Sequence, residues 1–227
     1  MKAVYAAGTD YDDPLSKLEV GALAEPERKP FWSNIRVAAA SVNHHDIWSL
    51  QGVGLSAEQT PMILGTDAAG VLEEDIPGRN GLKAGTEVVP YTFVGTDGAG
   101  VMPGERRSIL SERYAGTMAE ITQVPSANVF AKPANLDIDE AAALGTSWLT
   151  AYALLFTAAN VKPGDTILIQ GAGGGVSTAA IQLAHAAGLE VFVTSRTEGK
   201  RERAVSIGAD MAFEPGARLP RKVDAVI

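Results

Sequence analysis

The sequence predicts an α/β protein in two parts, a β-rich segment over residues 1–130 and a doubly wound α/β segment over residues 131–227. In the first part, short runs of β-branched residues alternate with Gly, Pro and Asp, which is typical of strands and turns. In the second part, residues 166–196 read as strand, glycine turn, helix and strand, the repeating unit of a parallel doubly wound sheet. A length of 227 residues fits one or two domains.

The clearest strands of the first part are predicted at residues 35–40, 68–72 and 87–89. Each run is bounded by turn residues. Glycine and proline crowd residues 95–104, which predicts a surface loop there.

Two helices are predicted to open the second part. Asp137 or Asp139 is placed to cap a helix over residues 140–144, and Ser147 is placed to cap one over residues 149–158.

The elements that follow the glycine turn continue the doubly wound pattern. Its four strands are expected at residues 166–170, 191–194, 211–213 and 223–227, with a helix over residues 198–207 between the second and third. In the strand order 3-2-1-4-5-6, these are strands one to four. We therefore expect residues 131–227 to form a partial dinucleotide-binding domain that lacks the last two strands.

The glycine turn predicts a site for an anion. Gly171 and Gly174 permit a tight turn and a close approach of the backbone to a phosphate. The amides that open the next helix, near Val176, have no intrahelical partners, and the helix dipole adds roughly half a positive charge there. A plain turn is the alternative, but the order of strand, helix and strand around it favours a dinucleotide pyrophosphate.

The end of the second strand predicts which dinucleotide is bound. Proteins that bind NAD usually carry Asp or Glu there, whereas this chain has Ser195 and Arg196, followed by Lys200. A guanidinium offers a planar fork of donors to a 2′-phosphate, which favours NADPH. The alternative is a solvated basic helix face, which we accept for Glu202 and Arg203.

Composition excludes several classes of function. A formal charge of −8 argues against a nucleic-acid partner, and the absence of cysteine excludes disulfides and thiolate metal sites. No apolar run reaches the roughly 18 residues that span a bilayer, and the N-terminus has no signal-peptide core. We expect a cytoplasmic protein that does not bind membranes.

Five segments in this order carry a family resemblance. They read SVNHHDIWSLQG from residue 41, PMILGTDAAGV from 61, GTMAEITQVPSANVFAKPANLDIDEAAALGTSWLTAY from 116, VKPGDTILIQGAGGGVSTAAIQLAHAAG from 161 and KRERAVSIGAD from 200. The chain resembles the medium-chain dehydrogenase/reductase superfamily, and more closely its zinc-independent quinone oxidoreductase branch. The resemblance implies an N-terminal GroES-like β-barrel, a Rossmann domain and NADPH-linked reduction of a quinone or an activated double bond. We expect the complete enzyme to which this sequence belongs to be a homodimer.

The resemblance also assigns a catalytic cleft. Asn43, Asp46 and Trp48 match the signature of the branch and are expected to line the cleft where nicotinamide meets substrate. A core aromatic residue is the alternative for Trp48, and a structural hydrogen-bonding residue is the alternative for Asp46.

The cofactor-binding residues follow from the same resemblance. Thr66 and Thr150 match positions that approach the cofactor, and Gly171, Gly174 and Gly175 match the pyrophosphate loop. The 2′-phosphate pocket is matched by Ser195, Arg196 and Lys200.

No metal is expected. Zinc-dependent members of the superfamily place Cys where Asn43 stands and His where Thr66 stands, and they carry a four-cysteine lobe near residues 95–112. If the segment at His44 and His45 is extended, adjacent side chains point to opposite faces and cannot easily share one ion. A tetrahedral site also needs three or four ligands.

Without a metal, the expected chemistry is direct hydride transfer to a quinone or enone-like small molecule. Tyr91, His45 and solvent stay open as the source of the proton. The alternative function is a non-catalytic NADPH-binding protein or a remnant of such an enzyme. The sequence does not identify the substrate.

Overall fold

A computed structural model of the chain describes residues 1–95 and 107–227. They form two compact units, Met1–Thr146 and Ser147–Ile227. The loop predicted over residues 95–104 lies almost entirely outside the described residues. Within them, no helix is long and apolar enough to cross a membrane.

The first unit is built from antiparallel sheets. A three-stranded sheet has the order β2-β1-β4, a five-stranded sheet has the order β10-β6-β5-β3-β9, and β7 pairs with β8. The strands are β1 (Lys2–Ala6), β2 (Leu18–Ala22), β3 (Trp32–Ser41), β4 (Met62–Ile63), β5 (Asp67–Leu72), β6 (Glu87–Pro90), β7 (Phe93–Val94), β8 (Ser108–Ile109), β9 (Ile121–Pro125) and β10 (Val129–Ala131). The helices are α1 (His44–Leu50) and α2 (Ile138–Ala141), with short 3₁₀ turns at Pro14–Lys17, Ala57–Gln59 and Ser126–Asn128.

The five-stranded sheet confirms the strands predicted at residues 35–40, 68–72 and 87–89. Ile35, Leu72 and Val88 from its three central strands are fully or almost fully buried in one apolar cluster. Burial of such side chains from water contributes most of the stability of a sheet.

The second unit is a four-stranded parallel sheet with the order β13-β12-β11-β14. In chain order its strands are therefore third, second, first and fourth, as predicted. A π-helical segment, Leu144–Trp148, precedes this sheet in sequence, and the first three residues of that segment belong to the first unit. The elements that follow are α3 (Leu149–Tyr152), the π-helical segment Ala153–Ala158, β11 (Thr166–Gln170), α4 (Gly175–Ala186), β12 (Glu190–Thr194), α5 (Glu198–Ser206), β13 (Met211–Phe213) and β14 (Ala225–Val226). The small residues of α4, with Ala180 and Ile181 fully buried, allow it to lie close to the sheet.

The first unit extends beyond the boundary predicted at residue 130. Ala141 and Ala142 pack on Ala69 of β5, and the hydroxyl of Thr146 donates to the carboxylate of Asp67. These contacts tie residues 131–146 to the first unit.

One local prediction is wrong, and one condition of the argument against a metal is not met. Ser147 does not cap a helix, because it lies inside the π-helical segment Leu144–Trp148. The segment at His44 and His45 is not extended but forms the start of α1. Successive side chains of a helix also diverge, since only residues three or four apart are neighbours on its surface.

Candidate functional site

Helix α1 is anchored at its N-terminus by Asp46. One carboxylate oxygen accepts the backbone N–H of Asn43 at 2.8 Å, and the other accepts the backbone N–H of Gly65 at 3.0 Å. Asp46 is only 4% exposed. The structure thus gives Asp46 the structural hydrogen-bonding position that was the alternative to a role in the cleft.

A buried carboxylate, Asp67, organises the polar residues around it. One of its oxygens accepts from the hydroxyl of Ser41 at 2.8 Å and from the amide of Asn43 at 2.9 Å. The other accepts from the hydroxyl of Thr146 at 2.5 Å. Thr66 lies 2.8 Å from Thr146 Oγ1 and accepts from Asn43 Nδ2 at 3.2 Å. We call Ser41, Asn43, Thr66, Asp67 and Thr146 the Asp67 network.

The hydrogen bonds of the Asp67 network have a defined order of donors and acceptors. Because Thr146 donates to the carboxylate, its oxygen accepts from Thr66, whose own oxygen accepts from Asn43. The amide nitrogen of Asn43 therefore faces Asp67. Thr66 is fully buried, so its contact with a cofactor stays a prediction.

Burial raises the pKa of both carboxylates above the ordinary value for aspartate. For Asp67, loss of hydration is the main cause, and it is opposed by the hydrogen bonds from Thr146, Asn43 and Ser41. For Asp46, loss of hydration is again the main cause, opposed by the backbone hydrogen bonds from Asn43 and Gly65.

The exposed face of α1 carries aromatic rings. Trp48 is 47% exposed, which excludes its alternative reading as a core residue in this unit. The ring of His44 meets the indole edge-on, with 5.1 Å between centroids. A half-exposed indole offers a flat apolar surface to a planar ligand.

His45 on the same helix pairs with Glu112, a residue that the sequence did not single out. Their Nε2 and Oε1 atoms lie 3.2 Å apart. Glu112 also lines a cavity of about 480 Å³ together with Tyr91, Phe93 and Ser108. Two of the open proton sources, His45 and Tyr91, therefore lie at or beside one cavity of the first unit.

The zinc ligand positions of the superfamily hold a different donor set here. Asn43 supplies an amide nitrogen that is already hydrogen-bonded, and Thr66 supplies a buried hydroxyl within the same network. Zinc sites instead use thiolate, imidazole and carboxylate ligands. In the described part of the chain, no group of three or more His, Asp or Glu side chains could hold a metal ion.

In the second unit, a pocket of about 520 Å³ lies between the glycine turn and the end of β12. The residues that line it are Gly171, Ala172, Gly173, Gly174, Thr194, Ser195, Arg196, Thr197, Lys200 and Pro215. The structure thus brings together all three predicted 2′-phosphate residues and two of the predicted pyrophosphate glycines.

The glycines of the turn have different roles. Gly171 and Gly173 adopt φ of 78° and 107°, a region that disfavours other residues, whereas Gly174 is the N-cap of α4 with φ of −85°. Gly173, which the sequence did not single out, is therefore required by the turn, whereas the backbone conformation of Gly174 does not require glycine. Gly175 is needed for packing, because a Cβ there would lie 2.6 Å from Ser147 Oγ. The half-buried Thr150 lies on α3, which packs on α4.

The first two backbone amides of the turn are already hydrogen-bonded, so an anion would be bound by the amides that follow them. The N–H groups of Gly171 and Ala172 donate to the carbonyl of Thr194 at 3.1 and 2.9 Å. The amides from Gly173 to Val176 then open α4, where the helix dipole also favours negative charge. A phosphate is best accommodated there.

Two of the residues that line this pocket are cations. Arg196 and Lys200 are both exposed, and neither forms an ion pair within residues 1–95 and 107–227. The alkyl chain of Lys200 covers Gly173, since a Cβ built on that glycine would lie 3.0 Å from Lys200 Cδ. Ser195, in contrast, is buried.

We expect Gly173→Ala to weaken binding of 2′,5′-ADP and to destabilise the fold by about 1–2 kcal/mol, because alanine is strained at positive φ and would push against Lys200. Gly174→Ala is the matched control, since its φ is negative and its nearest neighbour to a new Cβ is 3.7 Å away. Calorimetric titration and thermal unfolding measure both effects. Equal behaviour of the two variants would contradict this account of the turn.

Comparison with known proteins agrees with both units. The alcohol dehydrogenase GroES-like domain family matches residues 29–134. Crotonyl-CoA reductase of Streptomyces avermitilis is 31% identical over 90% of this chain and 52% of its own length. Quinone oxidoreductase of Pongo abelii is 31% identical over 84% of this chain and 52% of its own length. A solved structure titled NAD-dependent alcohol dehydrogenase superposes with a TM-score of 0.83 at 36% identity, over 96% of this chain and 64% of that chain.

The chain spans about half the length of the curated relatives it matches. Their names are those of oxidoreductases, and their similarity extends across both units. The predicted fold class is confirmed: a GroES-like β domain and a Rossmann-type parallel sheet. On this fold and these matches, the chain belongs to the medium-chain dehydrogenase/reductase superfamily.

Proposed function

We propose that the protein is an NADPH-dependent reductase that transfers hydride to a quinone or to an activated double bond without zinc. The observation that carries this proposal is the pair of exposed cations, Arg196 and Lys200, which line the pocket beside the glycine turn and have no ion-pair partner among the described residues. The names of two relatives, a crotonyl-CoA reductase and a quinone oxidoreductase, support the two substrate classes. One structural neighbour is titled NAD-dependent, so the choice of cofactor is argued from this chain's own residues.

The second unit fits the cofactor. The amides from Gly173 to Val176 would hold the pyrophosphate, and Arg196, Lys200 and Ser195 would hold the adenosine 2′-phosphate. No carboxylate replaces them at the end of β12, where an NAD-binding protein usually carries one. When bound, NADPH supplies the hydride.

The first unit fits a planar, conjugated substrate. Trp48 presents a half-exposed indole, and Tyr91 and Phe93 line a cavity of the same unit with their rings 5.8 Å apart. His45, whose Nε2 atom lies 3.2 Å from Glu112 Oε1, is the residue of this unit to which we assign donation of the proton. Asn43 and Asp46 act here by fixing the start of α1.

The finer organisation is part of the same proposal. The first unit, Met1–Thr146, would serve as the substrate domain, and the second unit, Ser147–Ile227, would serve as the NADPH-binding domain. The homodimer, the cytoplasmic location and the lack of a nucleic-acid or membrane partner stay predictions.

NADPH oxidation by the purified chain tests the proposal. Quinones, enones and enoyl thioesters are each offered as acceptor, before and after dialysis against a chelator. We expect oxidation with at least one acceptor and no loss after chelation, because Asn43 and Thr66 replace the zinc ligands. Loss of turnover on chelation would contradict zinc independence. NADPH binding without turnover on any acceptor would favour the non-catalytic alternative.

A further inference from the structure

Arg201 of α5 joins the two loops that form one wall of the pocket in the second unit. Its Nη1 donates to the carbonyl oxygen of Ser195 at 2.8 Å, and its Nη2 lies 3.3 Å from Glu214 Oε1. Ser195 directly precedes Arg196, and Glu214 directly precedes Pro215, which also lines the pocket. The side chain of Arg201 is only 18% exposed, so its guanidinium is largely committed to these contacts.

The backbone of Ser195 is held on both sides. Its N–H donates to the carbonyl of Phe213 at 3.0 Å, and its carbonyl accepts from Arg201. The next residue, Arg196, therefore leaves the end of β12 in a fixed direction. By contrast, the exposed guanidinium of Arg196 has no carboxylate partner among the residues that the structure describes.

We propose that Arg201 is a specificity-determining positioning residue: it holds the Ser195 loop so that Arg196 meets the 2′-phosphate of the dinucleotide. This inference rests on the proposed use of NADPH. Arg201 does not itself touch the phosphate. The planar fork of a guanidinium can bind the carbonyl and the carboxylate at once, which the single ammonium of a lysine does less well.

Calorimetric titration of the 227-residue chain with 2′,5′-ADP and with ADP tests the inference. ADP lacks the 2′-phosphate but shares the rest of the ligand. We expect Arg201→Ala to weaken 2′,5′-ADP binding about tenfold and to leave ADP binding within about twofold, because residues joined through one hydrogen-bond network are energetically coupled. Arg203→Ala removes the same charge from an exposed position of α5 and should change neither affinity.

Two further variants sharpen the test. Glu214→Gln, at a side chain 73% exposed, should fold normally and give the same selective loss at smaller size. In an Arg196→Ala background, Arg201→Ala should weaken 2′,5′-ADP binding little further, since its partner in recognition is already gone.

The outcomes separate this inference from the proposed function. If the unmodified chain binds 2′,5′-ADP no better than ADP, the NADPH assignment fails and the inference fails with it. If the unmodified chain prefers 2′,5′-ADP and Arg201→Ala keeps that preference, or weakens both ligands equally, only the inference is overturned. Additive losses in the double variant also overturn it, because Arg201 would then act independently of Arg196.

Discussion

Replacing Arg196 with alanine is expected to weaken NADPH binding about 10- to 100-fold, the effect of losing a charge-assisted hydrogen bond of about 1.5–3 kcal/mol. NADH binding should be nearly unchanged, because NADH carries no 2′-phosphate for the guanidinium to contact. Titration followed by cofactor fluorescence measures both affinities. Since Arg196 is exposed, the preference for NADPH should also shrink as salt concentration rises.

Arg203→Ala is the matched control for this prediction. It removes one exposed arginine from α5 without touching the pocket residues, so both affinities should persist. Equal affinity of the unmodified chain for NADH and NADPH would refute the 2′-phosphate assignment. A loss shared equally by both cofactors in Arg196→Ala would point instead to a damaged pocket.

The second unit could be predicted almost element by element because its signals are local. Apolar runs, a glycine turn and a capped helix each lie within about ten residues, and β11 and β13 are observed with the predicted bounds. Gly173 was within the same cluster, but the sequence does not reveal which glycine takes positive φ. Arg201 was visible only as one charge in a mixed run, because its contact with Glu214 depends on the loop after β13.

The candidate site of the first unit was less predictable because its contacts are long-range. Asn43 and Asp46 were identified, yet the sequence could not reveal that buried backbone amides and Asp67 occupy their polar atoms. His45 and Glu112 lie 67 residues apart in sequence, and no local pattern joins them. One available signal was overlooked: Asn43 followed three residues later by Asp46 is a helix N-terminal pattern, and it predicts α1.

Among the polar residues that the structure describes in the first unit, Asp67 is expected to contribute most to the free energy of unfolding. At neutral pH, Asp67→Ala should lower the free energy of unfolding by about 3–5 kcal/mol, because Ser41, Asn43 and Thr146 lose a common acceptor. Asp139→Ala, at an exposed position, is the control and should stay within about 0.5 kcal/mol. Urea unfolding measures both variants.

The pH dependence of stability tests the state of Asp67 itself. Burial raises its pKa in the folded chain, so the folded state holds the Asp67 proton more tightly than the unfolded state does. Its protonation therefore stabilises the fold fully below the ordinary aspartate pKa of about 3.9, and this contribution is lost as pH rises through the higher folded pKa. The measured quantity is the free energy of unfolding of the unmodified chain minus that of Asp67→Asn. This difference should decrease as pH rises from about 4 to neutrality, with a slope of at most about 1.4 kcal/mol per pH unit. A difference that is flat or rises over this range would mean that the hydrogen bonds of Ser41, Asn43 and Thr146 outweigh the loss of hydration.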